Sequence, residues 1–139
     1  MKLDLRILLA IGAGGALGSI ARYVVNVLIQ SRASTTFPIG ILAINVVGSL
    51  LLGFIMRLTL ETSALGPEMR FFLTAGFCGG FTTFSTFSYD TLSLIESGQL
   101  TGAAGYVISS VILSIAGTFA GAGLAQQLGA LLRAKASHM

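Results

Sequence analysis

Few side chains in this sequence are equipped for chemistry, and most of those within its apolar stretches are uncharged. Asn45 stands alone in an apolar run, and Ser110, Ser114 and Thr118 recur every fourth residue with Tyr106 one turn earlier, so a helix would carry them as one polar stripe. Phe84 and Phe87, three apart, share a helix face. An aromatic ring is positive at its edge and negative on its face, so such a pair can meet an anion edge-on or a cation face-on. Arg22 follows a glycine-rich run and reads either as an arginine reaching for headgroups or as a fixed positive charge drawing anions to an aqueous mouth. Taken singly, Asn45 serves equally as a bond to a neighbouring helix, a serine as a bond to its own preceding turn, and the aromatic pair as core. Together they could line a route for a small ion. There is no Ser/His/Asp or Cys/His constellation, no carboxylate pair and no metal-ligating cluster, so an enzyme is not expected.

The chain that must position these groups has 139 residues, 54% hydrophobic and 9% charged, with a net charge of +3. Soluble domains carry about 25% charged residues. The mean hydropathy of +0.89 excludes a disordered chain as well, and lipid becomes the solvent for most of the sequence. Spans of about 20 residues predict an all-α, single integral membrane domain over 1–139, with helices near 5–29, 37–60, 70–95 and 101–132. Pro38 is expected in the first turn of span two, and Gly66, Pro67 and Glu68 mark a loop before span three. The first stretch is too long for a signal-peptide core and is read as a retained helix. Residues 136–139, which include the lone His138, are expected to be a tail of the kind an expression vector leaves. Cys78 is the single cysteine, so no intrachain disulfide forms.

Four spans place both termini on one side with the loop between spans two and three. That side holds Lys2, Arg6, Arg57, Arg70, Arg133 and Lys135, while Arg32 and Arg22 fall towards the other, so the termini are expected in the cytoplasm. Gly14 with Gly18, and Gly117 with Gly121, have the spacing that lets helices approach closely in lipid, and a chain this small is expected to complete its bundle by oligomerising. Span three carries the densest signal, Gly76-Phe77-Cys78-Gly79-Gly80-Phe81-Thr82-Thr83-Phe84-Ser85-Thr86-Phe87-Ser88. Paired glycines followed by paired threonines predict a helix broken mid-membrane, with carbonyls able to hold a hard cation on one side and N–H groups favouring an anion on the other.

That string resembles the signature of the Fluc (CrcB) fluoride channels, as do the approach to Arg22-Tyr23 and the run Gly40-Ile41-Leu42-Ala43-Ile44-Asn45-Val46-Val47-Gly48-Ser49. The resemblance extends over all four spans. It implies a passive fluoride channel of the bacterial inner membrane, protecting against fluoride toxicity, built as an antiparallel, dual-topology homodimer with two pores. It further implies that Phe84 and Phe87 line the fluoride path with ring edges, that Asn45 donates to the ion, and that Ser110, Ser114, Tyr106 and Thr83 belong to the same path. Backbone carbonyls of Gly79 and Thr82 from both subunits would hold a structural sodium ion, and Arg22 would lie at the vestibule. The partners implied are fluoride, the lipid bilayer and a second copy, with no nucleic acid. Asp90 stands where the family pattern suggests Glu, and six basic residues against two depart from the small charge bias of a dual-topology protein. The alternative is a small multidrug-type, proton-coupled cation exporter, for which Asp90 is the candidate intramembrane carboxylate.

Overall fold

The computed structural model describes residues 3–62 and 65–136; Lys2 and the tail residues Ser137, His138 and Met139 lie outside them. Among the described residues all regular structure is helical. Helix α1 spans Leu5–Gln30 and starts at Asp4, whose carboxylate accepts from the Arg6 backbone N–H at 2.9 Å. Helix α2 spans Ile39–Glu61. Pro38 precedes it as the cap residue instead of occupying its first turn, so this helix begins two residues later than the sequence predicts at Phe37.

The third segment begins earlier than predicted, with Pro67 as the first residue of α3 (Pro67–Phe71), where its missing N–H is no loss. It continues as a π-helical stretch, Phe72–Cys78, and one helical turn, Gly79–Phe81. Thr82 and Thr83 have extended backbones, and α4 (Phe84–Glu96) follows. Gly98, at φ 76°, ends α4: its N–H bonds the Ile95 carbonyl at 2.9 Å and the Gln99 N–H bonds that of Leu94 at 2.8 Å, the pairing of a left-handed glycine cap. Helix α5 covers Leu100–Ala136, absorbing the start of the expected tail. Leu5–Gln30, Ile39–Glu61 and Leu100–Ala134 are each long and apolar enough to cross a membrane.

Glycine seams assemble these helices. A Cβ on Gly14 would stand 2.9 Å from the Phe77 nitrogen and 3.1 Å from Gly76 Cα, and one on Gly80 would stand 3.0 Å from Gly15 Cα, so α1 lies backbone to backbone on the third segment. Gly117 and Gly121 bring α5 equally close to Val46, Leu50 and Phe54 of α2. Ile41, Ile44, Phe81, Phe87, Leu94, Ala103 and Tyr106 form the buried core, while large apolar side chains such as Leu9 and Phe119 cover the exterior. At the far end of α2, Glu61 pairs with Arg57 at 2.8 Å and with Arg133, joining two of the basic residues on the side of the termini through one carboxylate.

Gly18 approaches the Phe81 nitrogen within 2.9 Å of an added Cβ, whereas Gly105 has open space around it. Gly18→Ala is therefore expected to lower stability by about 1–3 kcal/mol, and Gly105→Ala is expected to leave it unchanged or slightly raised. Thermal unfolding of the two purified variants in detergent checks this, and equal behaviour would remove the α1 seam from the account.

Candidate functional site

The site begins where the third segment stops being helical. In a continuous helix the Thr83 N–H would bond the Gly79 carbonyl, and the Thr86 N–H that of Thr82. Here the Thr83 N–H donates to Asn45 Oδ1 at 2.8 Å, and Asn45 Nδ2 donates back to the Thr83 carbonyl at 3.2 Å. Thr83 also caps α4, its Oγ1 accepting from the Thr86 N–H at 3.2 Å and donating to Thr86 Oγ1 at 3.1 Å. The structure thus shows Asn45 in the other role the sequence offered, a hydrogen bond to a neighbouring segment. Its carboxamide is a two-point clamp on the break, and the bond to the Thr83 carbonyl uses one of the two Nδ2 hydrogens. The clamp and the cap together release the carbonyls of Gly79 and Thr82 from their helical donors. These are hard oxygen donors of the type that suits a cation.

Beyond the break, α4 and α5 bring four of the expected residues together. Phe84, Phe87, Ser110 and Ser114, with Val111 and Ile115, line a groove of about 200 Å³. The two phenylalanine rings lie 5.3 Å apart at 43°. Phe87 is buried, whereas Phe84 is 78% exposed. Ser110 is buried and its hydroxyl has no hydrogen-bond partner among the described residues. A buried hydroxyl left unpaired costs about 1–3 kcal/mol, and this one belongs to a groove whose lining is otherwise chiefly apolar. Thr118, next in the stripe, donates to the Ser114 carbonyl at 3.1 Å and is occupied with its own helix.

Tyr106 is fully buried against Phe87, with ring centroids 5.2 Å apart, and donates its hydroxyl hydrogen to Asp90 Oδ2 at 3.4 Å. That hydrogen therefore points away from the groove. Arg22 sits elsewhere, half-buried in a cavity of about 260 Å³ with Ser19, Tyr23, Asn26, Ile41 and Thr86. Asn26, Thr86 and Ser19 were not singled out in the sequence. Asn26 lies one turn after Arg22 on the same face, a spacing that could have marked it, whereas Thr86 reaches the cavity only through the tertiary fold.

Long apolar helices joined through their backbones, with hydroxyl, amide and aromatic groups gathered inside, define a multi-pass membrane protein. The chain belongs to the CrcB family: residues 9–122 match the family described as "CrcB-like protein, Camphor Resistance (CrcB)". Relatives named fluoride-specific ion channel FluC are close in sequence. That of Rhizobium meliloti (strain 1021) is 46% identical over 117 residues, covering 84% of this chain and 94% of the relative. That of Geobacter sulfurreducens is 47% identical over 121 residues, 87% and 98%. That of Nitrobacter winogradskyi is 50% identical over 114 residues, 82% and 90%.

Removing the clamp tests its weight. Asn45→Ala leaves the Thr83 N–H unpaired and is expected to destabilise the fold by about 1–3 kcal/mol, while Thr83→Val, which loses the cap, costs about 1 kcal/mol. Unfolding midpoints of both variants in detergent measure this, and an unchanged Asn45→Ala midpoint would show that the break is held by other contacts.

Proposed function

We propose that this chain is a passive, fluoride-selective ion channel. The observation that carries the reading is the groove lined by Phe84, Phe87, Ser110 and Ser114, with the Ser110 hydroxyl unpaired among the described residues, in a chain about half identical to relatives named for fluoride conduction. Fluoride is small and strongly hydrated, so a route must replace its water with several donors and must not trap it with a fixed charge. Ring edges, the Ser110 and Ser114 hydroxyls and the remaining Asn45 amide hydrogen supply such donors, with Thr83 and Tyr106 beside them and Arg22 gathering anions at a vestibule. No bond is made or broken along this route, and the protein is a conduit and not an enzyme. Nothing observed favours the multidrug-type exporter, since Asp90 is already paired with Tyr106.

The finer architecture belongs to the same proposal. The third segment is a membrane span broken at Thr82 and Thr83, which lipid permits only where the break is enclosed in protein. Two copies pair antiparallel in the bacterial inner membrane, each closing the side of the groove on which Phe84 is exposed. The released carbonyls of Gly79 and Thr82, met by the same pair from the second copy, fit a sodium ion at the interface. When bound, that ion supplies a fixed positive charge tying the two breaks together.

Purified protein in liposomes is expected to release fluoride, read with an electrode, while retaining chloride. Phe87→Ile is expected to reduce fluoride release by about five- to tenfold, since the route loses a ring edge worth roughly 1–1.5 kcal/mol, with the assembly intact by size exclusion. Asn45→Asp places a carboxylate beside the route and is expected to suppress release as well. Folded protein that releases neither anion sinks the proposal.

A further inference from the structure

The ion-paired end of the seam between α2 and α5 carries more positive charge than it neutralises. Gly129 packs against Glu61, where an added Cβ would stand 2.8 Å from the Glu61 Cβ, and this close approach seats the carboxylate between two guanidinium groups. Glu61 Oε1 meets Arg57 Nη2 at 2.8 Å, Oε2 meets Arg133 Nη1, and the Glu61 carbonyl accepts from Arg133 Nη1 at 3.3 Å. The carboxylate is therefore used up, with both oxygens engaged and its side chain only 12% exposed. The two cations are not. Each guanidinium is a fork of several N–H donors, of which one nitrogen on each arginine reaches Glu61. Arg57 Nε is buried without a hydrogen-bond partner among the described residues, and the Arg133 side chain is 56% exposed.

We propose that this end of the seam binds the phosphate of an anionic phospholipid headgroup, with Arg57 and Arg133 as donors and Glu61 as the residue that positions them. The inference needs only that the bundle spans a membrane, and it is independent of what the bundle conducts. Glu61 is the last residue of α2, a helix long and apolar enough to cross the bilayer, so the triad lies at headgroup depth, where basic side chains between helices meet lipid phosphates. The guanidinium fork matches phosphate oxygens in geometry as well as charge, and the positive excess of the triad favours an anionic headgroup over a zwitterionic one. The neighbours favour a lipid over a soluble anion. Leu60 is exposed three residues after Arg57 on the same face of α2, and Leu128 and Leu132 are exposed one turn apart on α5, next to Gly129 and Arg133. An acyl chain can lie along these side chains while its phosphate is held above them. A free phosphate gains nothing from them.

Purified full-length protein in neutral detergent is titrated with phosphatidylglycerol, phosphatidylcholine or inorganic phosphate, retained lipid is counted by native mass spectrometry, and unfolding midpoints are read in parallel. Phosphatidylglycerol is expected to stay bound and to raise the midpoint by about 3 °C or more, with no shift from phosphatidylcholine or from inorganic phosphate at the same concentration. Arg133→Gln is expected to weaken phosphatidylglycerol retention about fivefold. Arg32→Gln, an exposed arginine towards the other membrane face, is expected to leave it unchanged. Retention is counted on folded protein, so a lower starting midpoint in Arg133→Gln does not mask the result. Equal retention of the two lipids, or equal losses from the Arg32 and Arg133 variants, overturns the site. Inorganic phosphate that raises the midpoint as far as phosphatidylglycerol does makes this a site for a soluble anion and overturns the lipid. Fluoride release enters none of these readings, so the failure of this site and the failure of the channel reading are told apart.

Discussion

Everything inside this bundle depends on how the third segment is allowed to stop being a helix. A break leaves backbone N–H and C=O groups without partners, and in lipid each such group costs several kcal/mol. Asn45 answers on both sides of Thr83, taking its N–H and supplying a donor to its carbonyl, from a helix that is itself fixed against α5 by glycine contacts. The second half, α4, can then start with its own cap, and its positive end points back towards the break. The amide and the Thr83 cap together thereby set carbonyls released from their helical donors beside a helix N-terminus, within a few residues.

Close packing is what lets a side chain as short as asparagine reach. Gly48 lies against the Thr82 side chain, and an added Cβ there would stand 3.2 Å from the Phe81 ring. Larger residues at Gly14, Gly18 or Gly80 would lift the third segment off α1 and carry Thr83 out of range of Asn45. The glycine seams and the clamp are therefore one device, in which backbone approach sets the distance and the amide uses it.

Much of this was legible in the sequence, and the reasons for the rest are physical. Apolar runs and their punctuation marked the three long helices, the Gly-Gly and Thr-Thr pairs marked the weak point, and helical spacing put Phe84 with Phe87 and Ser110 with Ser114, though only the fold brings the two pairs into one groove. The π-helical stretch over Phe72–Cys78 left no trace, since one residue of slack within a helix does not change an apolar pattern. Asn45 was legible as an interior polar group, but its partner was not, because Thr83 contributes only backbone, which every residue has. Asp90 was legible as a carboxylate in an apolar stretch, but its partner was not, and Phe37 was read only as a helix start: what each does comes from Tyr106, which each reaches across a different helix or loop.

The groove itself argues for something beyond one copy of the chain. Phe84 is 78% exposed beside a buried ring partner, and the Ser110 hydroxyl in the same groove has no partner among the described residues. An exposed aromatic facing lipid would be unremarkable, and an unpaired hydroxyl could be a local defect. Their coincidence in one groove is harder to assign to lipid, which offers the hydroxyl nothing and gains little from a half-covered ring. A second subunit that covers Phe84 would convert the groove into an enclosed passage whose polar group is free for a transient visitor. That arrangement binds weakly at any one point, which is what a strongly hydrated ion needs if it is to leave as readily as it enters.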